Sequence, residues 1–416
     1  MAASCLLYCV NCWRLNMDAT QTKKPKRLSV EAKRLVGDTL AWSASSSHVE
    51  RCYWENKVST SLARVLKNKK QSTIDSSLDH LSKHNLDGYH QLGELAEAIS
   101  ESARVDMGES SWDVLLLAAP VLAQTYYAIP SGVLKADAIN TLSTYLQMDV
   151  LSQQARITMA PFLYSMDQLP RNHVDTYRLL HQLIPHTLAQ NTNELDLRPV
   201  GQTVPALADP RYLLAAIAVP AGTAMFRWQE SGEGFFNREH CLTQWRQHAQ
   251  DTVAHFLAGS EFELLLPQGF FFSCCEADKE IRPLSLRAAI NYLTRSLAIL
   301  PAELTAVIGA FGTNSVDEYR IGFVRNGEKQ VVYGVIWTLY EEEGSEPLAL
   351  KPDTSTLDAI CDILRAAGVT EIFRHTPLHE PDYCEDCDAP LYLDHAGELV
   401  HANLPEHVPL QQPLFH

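Results

Sequence analysis

Apolar residues recur at three- and four-residue steps from Leu28 to Arg104: Val30, Ala32, Leu35, Val36 and Leu40, then Tyr53, Val58, Leu62, Val65 and Leu66. The rhythm resumes at Ile74, Leu78 and Leu81 and again at Tyr89, Leu92, Leu95, Ala98 and Ile99. That period predicts a bundle of three or four helices, with Ser29 and Ser72 as N-caps. Next, Asp113–Pro120 is an apolar run ending in proline, and Tyr212–Pro220 is another, 100 residues later. Each leads through a polar turn into a helical pattern, Leu134–Leu151 and His240–Leu257. A strand pattern follows, Arg156–Ser165 and Phe262–Ser273, with Pro161 and Pro267 at matching places. A second helical pattern closes each set, Val174–Leu188 and Leu284–Leu297. The order β-α-β-α thus occurs twice, which predicts an internal duplication resting on order and spacing.

Beyond it the texture is strand-rich: Leu304–Ala310, Glu318–Arg325 and Val331–Leu339, with Asn326-Gly327 as a hairpin turn between the last two. A helix over Thr356–Ala367 ends with Gly368 at its C′ position, and a short strand, Glu371–Arg374, leads into a cysteine-containing tail. Alternation of strands and helices predicts an α/β fold with a mixed sheet, α+β being the alternative. The expected layout is a leader over 1–27, a helical region over 28–108 and a first βαβα unit over 109–200. A second unit with added strands spans 201–343, and an acidic C-terminal helix with a Cys/His tail spans 344–416. Segments Asn191–Pro210 and Gly344–Ser355 read as surface linkers. Met17 opens a polar, lysine-containing stretch and reads as the natural start.

Composition changes this picture little. Of the 416 residues, 46% are hydrophobic and 20% charged, as in ordinary globular proteins. The longest apolar runs, Leu115–Leu122 and Leu213–Ala221, are far too short to cross a membrane. The net charge of −16 conceals a gradient: residues 1–70 carry 13 Lys/Arg against 5 Asp/Glu, and residues 338–416 carry 3 against 16. Opposite ends of this kind favour self-association within roughly a Debye length of ~8–10 Å. The acidic pI of 5.4 argues against nucleic acid as a partner. The alternative surface for it is the basic set Arg64, Lys67, Lys69 and Lys70, otherwise a solvated helix end. Ten cysteines in a chain of this length, with no basic n-region or cleavage site at the start, predict a reduced, cytoplasmic protein.

The chain has no phosphate-binding P-loop, no G-x-G-x-x-G after a strand, no G-x-S-x-G elbow and no H-E-x-x-H helix. Four clusters remain. Cys384 and Cys387 form one C-x2-C knuckle, whose two thiolates can face one zinc ion. A closed structural site needs two more donors: His401 lies across a hairpin turning near Gly397, and His375 and His379 precede the knuckle, with His395 a further candidate. Ser273, Cys274, Cys275, Glu276, Asp278, Lys279 and Arg282 crowd the end of a predicted strand, with Ser165 and Asp167 at the matching place in the first unit. An enzyme would use this cleft between the units, with Cys274 or Cys275 as nucleophile beside Glu276, Asp278 and Arg282. The bland reading is a capped helix start with inert buried thiols. Asp317, Glu318, Tyr319 and Arg320 read as a turn with a local ion pair. Cys5, Cys9 and Cys12 have the spacing of an iron–sulfur motif, but no strand precedes them. Trp112, Trp228 and Trp337 flank strands and read as packing. The combined expectation is a binding or regulatory module with a structural zinc in its tail.

The strings Trp112–Pro120, Ile129-Pro-Ser-Gly132, Phe226-Arg-Trp-Gln-Glu230, Asn291-Tyr-Leu293, Asp317–Phe323 and Tyr383–Tyr392 resemble a betaproteobacterial family of uncharacterised proteins, a domain of unknown function. The resemblance spans about Leu28 to Pro405. It implies a bacterial cytoplasmic setting and brings no activity, cofactor or site. Asp388 stands where similar tails carry glycine.

Overall fold

A computed structural model of the chain describes residues 28–108, 110–124, 129, 133–189, 195, 197, 208–230, 236–257, 259–312, 315–340, 356–387 and 389–403. Cys5, Cys9 and Cys12, the leader over 1–27, the linker over 344–355 and Asp388 lie outside the described residues.

Four helices open the fold: α1 (Val30–Ser43), α2 (His48–Lys67), α3 (Gln71–His84) and α4 (Leu86–Glu101). Their apolar stripes meet in one core around Leu35, Val58, Leu62, Ile74, Leu81 and Leu92. Ser29 caps α1 by accepting from Ala32 N at 3.1 Å. Ser72 is not a cap, because α3 begins one residue earlier, at Gln71. Gln71 is held in that first turn by its side chain, whose Oε1 accepts from Val174 N at 3.1 Å in a neighbouring helix.

The first sheet contains β1 (Ser102–Met107), β2 (Ser110–Gln124), β3 (Arg156–Ser165), β4 (Ala208–Pro220), β5 (Glu261–Leu264) and β6 (Gln268–Gly269). β2 and β4 are its antiparallel centre; β3 flanks β4, and β1, β6 and β5 share the far side of β2. Helix α5 (Ala136–Asp149) carries the chain from β2 to β3, and α7 (Arg238–Ala254) carries it from β4 to β5. Each connection skips over one strand of the other unit, which is the interleaved split β-α-β topology of ferredoxin-like sheets. This interleaving generates a two-fold-like arrangement by itself. Helices α5 and α7 cover one face, with Leu142, Leu146, Trp245 and Ala249 against Leu117, Ala119, Leu213 and Ala215. Helix α6 (His173–Ala189) and the first half of α8 (Phe270–Leu297) cover the other, against Leu116, Ala118, Leu214 and Ala216. Because β2 and β4 are buried on both faces, their sequences read as continuous apolar runs. Pro120 is tolerated in β2 because its carbonyl, which accepts from Leu265 N at 3.1 Å, faces the gap between β5 and β6, so the missing N–H takes no bond from β4.

One expectation fails here. The strand placed over Phe262–Ser273 ends at Gly269, and α8 runs unbroken through Pro283 to Leu297. The aromatic run Phe270–Phe272 mimics strand composition, but a carboxylate from α4 caps this point: Glu101 Oε2 accepts from Phe271 N at 2.9 Å. Pro283 leaves the carbonyl of Lys279 without its helical donor, and Arg282 Nε supplies one at 3.2 Å.

The later strands do not extend the first sheet. β7 (Leu304–Phe311), β8 (Glu318–Arg325) and β9 (Val331–Thr338) join β10 (Glu371–His379) in a second sheet, ordered β10-β7-β8-β9, with β10 parallel to β7. Hydrophobic pattern marks a strand but not its partner, so the boundary expected near residue 343 falls inside this sheet. Gly327, at φ 84°, turns the β8–β9 hairpin as its sequence requires. Helix α9 (Thr356–Ala366) and the second half of α8 cover one face through Ile360, Leu364, Leu286 and Ile290.

The other face receives a small hairpin, β11 (Leu391–Leu393) and β12 (Leu399–His401), through Tyr392 and Leu393. Glycines make room for it. A Cβ on Gly334 would fall inside the Tyr392 ring, and one on Gly309 would strike Leu393. Gly334→Ala should therefore lower stability by about 1–3 kcal/mol, the usual cost of overpacking a filled site. Urea unfolding checks this, and an unchanged midpoint would mean that the hairpin lifts off freely.

Candidate metal centre

The site begins with β8. Glu318 and Arg320 are both buried and paired, Nε to Oε1 at 2.6 Å. Burial pushes the Glu318 carboxyl up in spite of the arginine that opposes the shift, so desolvation outweighs their attraction. Arg320 Nη1 donates to the carbonyls of Asp382 and Leu391, both at 2.7 Å. Its guanidinium also lies 4.5 Å from the Phe311 ring centroid and 5.0 Å from that of Tyr383. Asp382 and Leu391 bracket the C-x2-C loop, so one buried cation holds both of its stems. Backbone bonds from Cys384 N to Ala389 O (2.8 Å) and from Leu391 N to Asp382 O (3.1 Å) close the loop.

The β11–β12 register sets Leu391 opposite His401 and so brings the histidine to the knuckle. One ligand atom each from Cys384, Cys387 and His401 lies within 4.8 Å of the others. Cys387 Sγ is 3.1 Å from His401 Nε2, and His401 Nδ1 is 2.8 Å from Asn403 Oδ1. A carbonyl oxygen accepts, so the ring proton is on Nδ1 and the Nε2 lone pair faces the sulfurs, the orientation metal-binding histidines adopt. Asn403 is itself fixed, its N–H donating to Val331 O on β9 at 2.9 Å. Two thiols and an imidazole are a donor set that could hold a metal ion, with a fourth position left for a further ligand.

The structure does not bring the other histidines to this group. His375 Nε2 is 3.2 Å from the carbonyl of Asp394, the His379 ring packs on Phe311 and the His395 ring on Phe373. Sequence proximity suggested them, but β10 aligns them along β7.

The second cluster is dispersed. Cys274 and Cys275 are not at a strand end; they lie in the first turns of α8, buried against the first sheet on the α6/α8 face. Ser165 pairs with Arg211 two residues beyond Leu163↔Leu213, so strand alternation turns it to the α5/α7 face. Ser165 therefore lies across the sheet from the two cysteines, and Asp167 follows it in a 3-10 turn. Asp278 hydrogen-bonds Tyr340, Lys279 pairs with Glu276, and Ser273 Oγ accepts from Gln268 N at 3.1 Å. Arg282 lies over Trp337 and Tyr340 and donates to Thr338 O. These residues fasten α8 to the end of β9.

The tryptophans pack: Trp112 under Arg156 at 4.1 Å and Trp228 on Phe226 at 4.4 Å. Arg64, Lys67, Lys69 and Lys70 are exposed, and Lys70 pairs with Glu31 at 2.7 Å. Sequence reasoning missed Asn403, whose signal is the His401-x-Asn403 spacing on one strand face. It also missed the buried carboxyls of Glu97 and Glu101, marked by an E-x3-E step on an otherwise apolar helix face. No helix among the described residues is long and apolar enough to cross a membrane.

No curated protein matches the chain. No solved structure matches it either. The family described as "Protein of unknown function (DUF2863)" matches residues 20–415, nearly the whole length, and the chain belongs to that family.

Proposed function

We propose that the protein is a cytoplasmic binding module whose C-terminal hairpin holds a structural zinc ion. The observation that supports this most is the convergence of Cys384, Cys387 and His401 within 4.8 Å, on a loop whose stems are tied by Arg320. Zinc suits two thiolates and an imidazole, and a reducing compartment keeps such thiols available. The ion would lock the tail to the second sheet and so complete a surface, while Cys274 and Cys275, buried in packing, offer no exposed nucleophile.

Purified protein should carry one zinc per chain by elemental analysis, and a Cys384→Ser/Cys387→Ser double variant should carry none. Removing zinc should lower the unfolding free energy by about 4 kcal/mol at a free ion concentration a thousandfold above Kd. Metal-free protein of full thermal stability would refute the reading.

A further inference from the structure

We propose that the same hairpin is a redox switch: a peroxide converts Cys384 and Cys387 into a disulfide and expels the metal. This rests on the metal reading above and assigns its regulation. Three features of the hairpin support it. Cys387 is exposed, and its Sγ contacts His401 Nε2 at 3.1 Å. Asn403 fixes the imidazole through Nδ1 at 2.8 Å, which leaves Nε2 to receive the thiol proton. Cys384 sits at the anchored end of the loop, partly buried, with its sulfur inside the 4.8 Å group.

A thiol, an oriented imidazole and an amide that orients it form a relay for nucleophilic sulfur, and the second thiol gives the product a way to resolve. In the metal-free hairpin, Cys387 Sγ attacks one peroxide oxygen and the O–O bond breaks. The thiol proton, passed through His401, leaves with the departing oxygen as water, and Cys387 is a sulfenic acid. Cys384 Sγ then attacks the Cys387 sulfur, the S–O bond breaks, and a second water leaves with the Cys384 proton. Two thiols have lost two electrons, and one peroxide has become two waters. Both sulfur ligands are consumed, and a single imidazole does not retain a divalent ion.

The chain contains its own comparator. Cys52 also lies beside an imidazole, 3.6 Å from His48 Nε2, but α2 has no second cysteine to resolve a sulfenic acid. Cys241, Cys274, Cys275 and Cys361 are buried.

The test treats the full-length, metal-stripped chain with stoichiometric hydrogen peroxide and maps peptides by mass spectrometry over time. Cys384 and Cys387 should become a disulfide at least about tenfold faster than Cys52 is oxidised, as expected for a positioned base. Cys384→Ser should stop the sequence at a sulfenic acid on Cys387 that dimedone traps. His401→Gly should slow the first step, and added imidazole should restore it, which a merely structural role would not predict. Cys387 reacting no faster than Cys52, or an unchanged rate in His401→Gly, would overturn the proposal. On the zinc-loaded chain, peroxide should release one zinc per disulfide formed. Zinc uptake with slow oxidation overturns the switch and leaves the metal reading. Fast oxidation in a chain that takes up no zinc overturns the metal reading and the release step with it.

Discussion

Replacing Arg320 by methionine should lower the unfolding free energy by about 3–5 kcal/mol, the range for stranding one member of a buried ion pair. The residue is fully buried, as is Glu318, so the substitution leaves a carboxylate in the interior without its cation. It also removes the donor shared by Asp382 O and Leu391 O and empties the space between Phe311 and Tyr383. Arg320→Lys keeps the charge but lacks the planar fork, so it should fall between wild type and Arg320→Met. A Glu318→Gln/Arg320→Met double variant should recover part of the loss, because no ionised carboxylate then remains unpaired. Urea unfolding of the four proteins gives these differences. A loss below about 1 kcal/mol for Arg320→Met, the worth of a surface pair, would mean that water reaches the pair and that the arginine does not hold the hairpin.

That arginine also marks the limit of what the sequence revealed. Asp317–Arg320 read as a turn with a local ion pair. The pairing was legible because acid and base two residues apart on a strand share one face. Its burial was not, since that depends on Tyr383, Asp382 and Leu391, more than sixty residues away. Strands with one dominant signal were legible almost to the residue: Arg156–Ser165 and Glu318–Arg325 coincide with β3 and β8. Phe262–Ser273 was not, because aromatic composition favours a strand while the cap that starts α8 comes from Glu101, far away in the chain. The knuckle and His401 were legible from spacing plus a turn glycine. Excluding His375 and His379 required knowing that β10 runs beside β7.

The buried carboxyls of α4 lead to the second large effect, which depends on pH. Neither oxygen of Glu97 has a hydrogen-bond partner among the described residues, and burial, then Glu101, then Glu94 hold its carboxyl well above the usual range. Burial pushes Glu101 up from 4.5 to about 7, against the lowering effect of the Phe271 and Phe270 amides that it caps. Carboxyls raised in the folded state keep protons that the unfolded chain has already released. Their neutral forms therefore stabilise fully below the ordinary carboxylate value, and that contribution is lost as pH rises through about 7 for Glu101 and higher for Glu97. Glu101→Gln keeps an oxygen for Phe271 N but cannot ionise. It should match wild type near pH 4 and become progressively more stable than wild type as pH rises to 8. The gap should reach about 3 kcal/mol, because each tenfold difference in proton affinity between folded and unfolded chains is worth about 1.4 kcal/mol. Glu101→Ala loses the cap as well, so it should fall below Glu101→Gln by about 1 kcal/mol at every pH. Urea midpoints from pH 4 to pH 8 measure both differences. A Glu101→Gln gap that does not change with pH would show that the carboxylate is already ionised and hydrated in the native joint. In that case α8 would be capped by a solvated charge, and the bundle would rest on the sheet through apolar contact alone.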